Sequence, residues 1–105
     1  MPERNKLYTV QITETAWQML IEHARFLANV SVTAANRLID TFVEKADSLT
    51  AAPERNPWLE NEAISFQKYR KLIFEKHYLA LYEIQGNIVY ITAVVDCGQD
   101  YAWLL

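Results

Sequence analysis

The chain lacks the raw material of several protein classes. It has one cysteine, Cys97, which excludes an internal disulfide framework and a cysteine-rich zinc site. Two glycines and three prolines in 105 residues exclude collagen-like and low-complexity chains. An apolar content of 51% and an aromatic content of 12% exclude a disordered one. There is no excess of positive charge: 10 basic residues stand against 13 acidic ones, for a net charge of −3. A protein that coats nucleic acid by charge alone is thereby disfavoured. No apolar run approaches the roughly 20 residues needed to span a bilayer. The opening Met1-Pro2-Glu3-Arg4-Asn5-Lys6 lacks the apolar core of a signal peptide, so a cytoplasmic protein without membrane contacts is expected. No His-Glu-x-x-His or cysteine cluster occurs, and neither a metal nor another cofactor is expected.

What remains fits a single domain over residues 1–105, with enough length for one core. Lys6 to Thr13 alternates, with Leu7, Thr9, Gln11 and Thr13 on one side and Tyr8, Val10 and Ile12 on the other. Period two with β-branched and aromatic residues predicts a strand. From Thr13 the period lengthens. Ala16, Leu20, Ala24 and Leu27, joined by Trp17 and Ile21, recur at helical spacing, and Thr13 or Thr15 can cap the start. Asn29-Val30-Ser31 breaks the pattern, and a second helix runs from about Val32 to Leu49 on the stripe Ala35, Leu38, Ile39, Phe42, Val43, Ala46 and Leu49. The two form an antiparallel hairpin.

Pro53 and Pro57 end the second helix and hold the connection over residues 51–67 extended, with Trp58 and Leu59 pinning it to the body. Three strands follow, Tyr69 to Phe74, Tyr78 to Ile84 and Ile88 to Val95, broken at Glu75-Lys76-His77 and at Gln85-Gly86-Asn87. The last strand is apolar on both faces and therefore central. Tyr82 and Tyr90 are expected as a cross-strand pair over the Gly86 hairpin. The fold class is α+β: an N-terminal strand, a two-helix antiparallel hairpin and a three-stranded antiparallel meander, with the helices on one face of the sheet.

These residues carry a likeness. The opening Tyr8-Thr9-Val10-Gln11-Ile12-Thr13-Glu14-Thr15-Ala16 and the run Tyr69-Arg70-Lys71-Leu72 resemble the RelE/ParE toxin superfamily. So do the strand Tyr78-Leu79-Ala80-Leu81-Tyr82-Glu83-Ile84 and the hairpin Gln85-Gly86-Asn87-Ile88-Val89-Tyr90-Ile91. The resemblance spans nearly the whole chain. It implies the toxin of a bacterial type II toxin–antitoxin (plasmid stabilisation) module, held by a cognate antitoxin that wraps it with a C-terminal segment. It also implies one of two targets: ribosome-bound mRNA, cut by the RelE-like branch, or DNA gyrase, poisoned by the ParE-like branch.

The sequence departs from the nuclease branch at informative positions. Where RelE-like nucleases place an arginine beside the tyrosine opening the second C-terminal strand, this chain has Leu79. Where the family often carries His-x-x-Arg-Asp, it has Asp96-Cys97-Gly98-Gln99-Asp100. Cutting RNA through its 2′-hydroxyl needs a base and cations that stabilise the developing phosphorane charge. Leu79 and Gln99 supply neither.

The remaining cationic candidates are Lys68, Arg70, Lys71 and Lys76, against the single acid Glu75, with His77 beside them. For an endoribonuclease, Arg70, Lys71, Lys76 and His77 are the catalytic candidates; for a binding protein, Lys68, Arg70, Lys71, Lys76, Asp100 and Tyr101 would meet a target or antitoxin. Edge-strand charge that blocks sheet-to-sheet pairing accounts for the same lysines and arginine. Alternation aims Lys68 and Arg70 to one side and Lys71 to the other, which argues against one catalytic pocket. His77 reads more simply as a solvated turn residue, His23 as a residue at the edge of the first helix's apolar face, and Asp96 and Asp100 as turn caps. Three functions are thus left in view: a toxin acting by binding, a ribosome-dependent endoribonuclease, and a degenerate toxin that only binds its antitoxin.

Overall fold

The computed structural model describes residues 7–60 and 66–97. Strand β1 (Thr9–Ile12) leads into α1 (Glu14–Ala28) and α2 (Val32–Ser48), and a single 3-10 turn at Pro53–Arg55 follows. The chain then forms β2 (Arg70–Phe74), β3 (Tyr78–Gln85) and β4 (Ile88–Asp96). The strands lie in one sheet in the order β1-β4-β3-β2. The meander β2-β3-β4 is antiparallel, but β1 joins β4 in parallel, so the sheet is mixed. The parallel pairing follows from the two helices between β1 and β4, which carry the chain back across one face of the sheet before it re-enters.

Each helix begins where the sequence offers a hydroxyl. Thr13 accepts from the Ala16 amide at 3.1 Å and Ser31 from the Ala34 amide at 3.1 Å, caps that each stabilise by about 1 kcal/mol. Thr13, not Thr15, is the first cap. Ala16, Leu20 and Ala24 of α1 and Ala35, Leu38, Phe42 and Ala46 of α2 are buried. Small residues at these positions let the helices lie close. Trp17, Ile21 and Val43 belong to the expected stripes yet remain exposed.

Against the helices the sheet presents Leu72, Phe74, Tyr78, Ala80, Tyr82, Val89, Ile91 and Val94. The intervening residues Leu79, Leu81, Ala93 and Val95 form a second buried cluster with Leu59 and Tyr69. Both β3 and β4 are therefore apolar on two faces, as central strands must be.

The expected pairing of Tyr82 with Tyr90 does not occur. The two-residue turn Gly86-Asn87 pairs Gln85 with Ile88, so Glu83 faces Tyr90 and Tyr82 faces Ile91; beyond that point a bulge between Leu81 and Tyr82 leaves Thr92 as an extra residue in β4. The Thr92 hydroxyl donates to the Leu81 carbonyl at 3.3 Å, which holds the bulge. The bulge also breaks the simple alternation expected of β4: Val89 and Ile91 face the helices before it, and Val94 after it. Gly86, at φ +62°, makes the β3–β4 turn as the Gly-Asn signal implied. The β2–β3 turn reaches the left-handed region without glycine, at Glu75 (φ 49°) and Lys76 (φ 66°). Thr41 on α2 donates to the Glu75 carboxylate at 3.1 Å and ties that turn to the helix layer.

Candidate binding site

The connection after α2 is anchored by side chains of the sheet. Buried Tyr82 donates its hydroxyl to the Pro53 carbonyl at 2.6 Å and accepts from Asn56 Nδ2 at 3.1 Å. Arg70, at the start of β2, donates to the carbonyls of Glu54 (3.0 Å) and Asn56 (2.7 Å), and its guanidinium lies 3.9 Å from the centre of the Trp58 ring. Backbone bonds Leu59 N–H to Tyr69 carbonyl (2.7 Å) and Lys71 N–H to Pro57 carbonyl (2.9 Å) lay the segment along the outer edge of β2. From the other side, the Tyr8 hydroxyl donates to Glu54 Oε2 at 2.8 Å. The expected extended connection over residues 51–67 is broken by the 3-10 turn at Pro53–Arg55, and residues 61–65 lie outside the described residues; the sequence named Tyr82 only as a partner for Tyr90, and did not point to Asn56. The available signal was a tyrosine inside a strand apolar on both faces, where a buried hydroxyl must find a partner.

Beside this anchor lies an open cleft of about 380 Å³ lined by Glu54, Trp58, Gln67, Lys68, Arg70, Glu83 and Ile84. Two carboxylates and two cations share it, with an indole for a wall. That composition suits a polypeptide carrying both polar and apolar side chains. It does not concentrate positive charge as phosphoryl chemistry requires.

The sequence-derived candidates divide between two ends of β2. Lys68 and Arg70 reach the cleft, Lys68 with its ammonium 5.3 Å from the centre of the Tyr69 ring. Lys71 is half-buried and follows Arg70 on the other side of the strand. Lys76 and His77 are exposed in the turn beyond Phe74, at the opposite end of β2, roughly 13 Å or more along the strand from Arg70. Asp100 and Tyr101 lie outside the described residues. Cys97, exposed at the end of β4, donates its amide to the His77 carbonyl at 2.7 Å, which places the cysteine and this histidine side by side in the backbone. His23 lies at the edge of the apolar face of α1, as expected: its Nε2 lies 3.3 Å from the Val94 carbonyl, a hydrogen bond for the Nε2–H tautomer, and its ring packs edge-on to Tyr78 at 5.2 Å. Among the described residues no group of three histidine, cysteine, aspartate or glutamate side chains could hold a metal. None of the described helices is long and apolar enough to cross a membrane.

With this geometry in place, comparison with known proteins decides the family. The sequence profile described as the ParE toxin of the type II toxin–antitoxin system parDE matches residues 10–101. The chain belongs to the ParE toxin family. It is thus a member of the RelE/ParE superfamily, whose strand–hairpin–meander order the fold reproduces. A solved structure described as the chromosomal ParDE TA system from P. aeruginosa superposes with a TM-score of 0.69 at 15% identity, covering 87% of this chain and 97% of that one. At that identity the likeness is one of fold. No curated protein matches this ParE-family chain.

Two buried tyrosines of this ParE-family domain link its stability to alkaline pH. Burial, the largest influence, raises the Tyr82 hydroxyl above its ordinary value of 10.0, while the Asn56 hydrogen bond and the nearby Arg70 and Arg55 pull the other way. Burial and then the Asp96 charge raise Tyr78. A phenol whose folded pKa exceeds its unfolded one binds more protons in the native state, so its contribution is complete below about pH 10 and is lost as pH rises through the folded value. Thermal unfolding followed from pH 8 to 11.5 is expected to show a flat Tm up to about pH 10 and a fall above it, less steep in Tyr78→Phe. An equal fall in that variant would assign the effect elsewhere.

Proposed function

We propose that this protein is the toxin of a type II toxin–antitoxin pair, that it acts by occupying a protein target, and that a cognate antitoxin neutralises it by gripping its surface. The observation that carries this reading is the commitment of Arg70. Its guanidinium is engaged by the Glu54 and Asn56 carbonyls and by Trp58, while Lys76 and His77 sit at the far end of β2. Together with Leu79 and Gln99 in place of the nuclease branch's arginines, this separates Arg70 from Lys76 and His77 instead of gathering them in one pocket. Membership of the ParE branch supports DNA gyrase as the target over ribosome-bound mRNA. The mixed charge and indole wall of the Lys68–Trp58 cleft support contact with polypeptide.

Induced expression in a bacterial host tests each part. Growth arrest with intact transcripts, accumulation of broken DNA and relief by co-expressing a cognate antitoxin are the expected results. Cleavage of mRNA at ribosomes, abolished by Lys71→Ala with Lys76→Ala and His77→Ala, would replace the reading with the nuclease one. Unimpeded growth would point to a chain that has lost toxicity.

A further inference from the structure

The two edges of the sheet are unequal. The β2 edge is covered over its first half by residues 57–59 and carries Arg70 and Lys71, two ways in which proteins prevent strand-to-strand association. Among the described residues the β1 edge is covered only at Tyr8, whose amide donates to the Thr50 carbonyl at 3.0 Å; beyond that residue it has neither protection. From Leu7 to Thr13 it contains no charge and no proline. The amides of Thr9 and Thr13 point inward, to Asn87 (2.9 Å) and Ile91 (3.0 Å) of the β4 side. Val10 and Ile12, of opposite phase, therefore direct their backbone N–H and C=O groups outward, where no strand lies among the described residues. Alongside runs an apolar groove of about 280 Å³ lined by Val10, Ile12, Trp17, Val43 and Ala46, with Asp47 its one charged wall residue. Trp17 is 36% and Val43 49% exposed there.

We propose that this edge pairs with the same edge of a second copy, joining two sheets through antiparallel β1 strands about a two-fold axis. The occupant follows from self-complementarity. A strand that offers outward donors and acceptors at two positions of one phase satisfies all of them against itself when the axis passes beside Gln11. Val10 of one copy then exchanges two hydrogen bonds with Ile12 of the other, and the reverse, while the two grooves meet side by side. Charge supports the same occupant. Two copies of a chain of net −3 repel at most surfaces, and the uncharged Leu7–Thr13 segment opposes no like charge to itself. The β2 edge would set Arg70 and Lys71 against their own copies.

The register makes the test specific. Gln11, exposed and on the sheet face away from the helices, lies on the axis as a pair without mutual hydrogen bonds, with Cα atoms about 4.5 Å apart, within disulfide reach. Thr9 is four residues out of step with its own copy, roughly 13 Å away, beyond disulfide reach. In a Cys97→Ser background, Gln11→Cys is expected to form a cross-linked dimer under mild oxidation and Thr9→Cys is not. Sedimentation of the unmodified chain should show a species of twice the 12.2 kDa mass, and Gln11→Lys, which sets like charges face to face, should weaken its formation by up to about fivefold. Equal cross-linking of both cysteine variants, or a chain monomeric at 100 μM or so, would overturn the proposal. So would a monomer in which Gln11→Lys instead abolishes binding of a cognate antitoxin, because the edge would then serve another strand. None of these readings depends on toxicity, so their failure and that of the toxin assignment are separable.

Discussion

Phe42→Ala is expected to lower the stability of the domain by about 3–5 kcal/mol, the range found when a fully buried aromatic is truncated. Phe42 has 0% exposure and stands where α2 meets both α1 and the sheet. Its ring packs edge-on against Trp17 of α1 at 5.6 Å and tilted against Phe74 of β2 at 5.5 Å, and Phe74 continues to Tyr78 at 5.8 Å. Removing it opens a cavity that neither the helix hairpin nor the sheet can fill without moving relative to the other. Domains of this size hold only about 5–15 kcal/mol in total, so the change takes a large share of the whole. At roughly 4 °C or more per kcal/mol, Tm should fall by at least about 12 °C in calorimetry. Phe42→Leu, which keeps most of the apolar volume, should lose clearly less. A loss below about 1 kcal/mol for the alanine variant would mean that Trp17, already part-exposed, swings in to fill the space.

Where the sequence announces its structure, the signal is periodic or steric. The stripe from Ala35 to Leu49 marks α2, Thr13 and Ser31 mark helix starts, and Gly86 marks a hairpin, because each position tolerates few alternatives. The β2–β3 turn was legible only as a break in the apolar runs, since Glu75 and Lys76 adopt positive φ against their ordinary preference. The parallel docking of β1 on β4 was not legible: nothing in four residues of Thr-Val-Gln-Ile distinguishes a parallel neighbour from an antiparallel one. The Thr92 bulge was invisible for a related reason, as an alternating strand with one residue too many still reads as alternating over each half. The candidate site divides in the same way. The basic run at Lys68–Lys71 stood out in composition, but its consequences depend on where the guanidinium of Arg70 is held. That is fixed by carbonyls of Glu54 and Asn56, backbone groups that carry no sequence signature.

Arg70 and Tyr82 fasten one segment from two sides, which leads to the second large expected effect. Tyr82→Phe leaves the Pro53 carbonyl and the Asn56 amide without the hydroxyl that joins them, at a cost of about 1–3 kcal/mol for buried groups left unpaired. Arg70→Ala removes two hydrogen bonds and the cover over Trp58; because Arg70 is half-exposed, about 2 kcal/mol is expected. Arg70→Lys keeps the charge but offers a compact ammonium in place of a planar fork, and should recover less than half of that loss. The two sites are not independent, since both act on residues 53–58. Once one fastening is gone the segment is partly released, and losing the other matters less. The double variant should therefore be destabilised by less than the sum of the single variants, with a coupling of about 0.5–3 kcal/mol in urea unfolding of the four proteins. Strict additivity would mean that the segment is held elsewhere and that Arg70 and Tyr82 act as separate contacts. The coupling also bears on function. If Arg70→Ala abolishes growth arrest while Lys68→Ala, exposed in the same cleft, leaves both stability and toxicity intact, the arginine acts by holding the Pro53–Trp58 wall in place. If Lys68→Ala instead abolishes arrest in a protein that unfolds normally, the cleft itself meets the target.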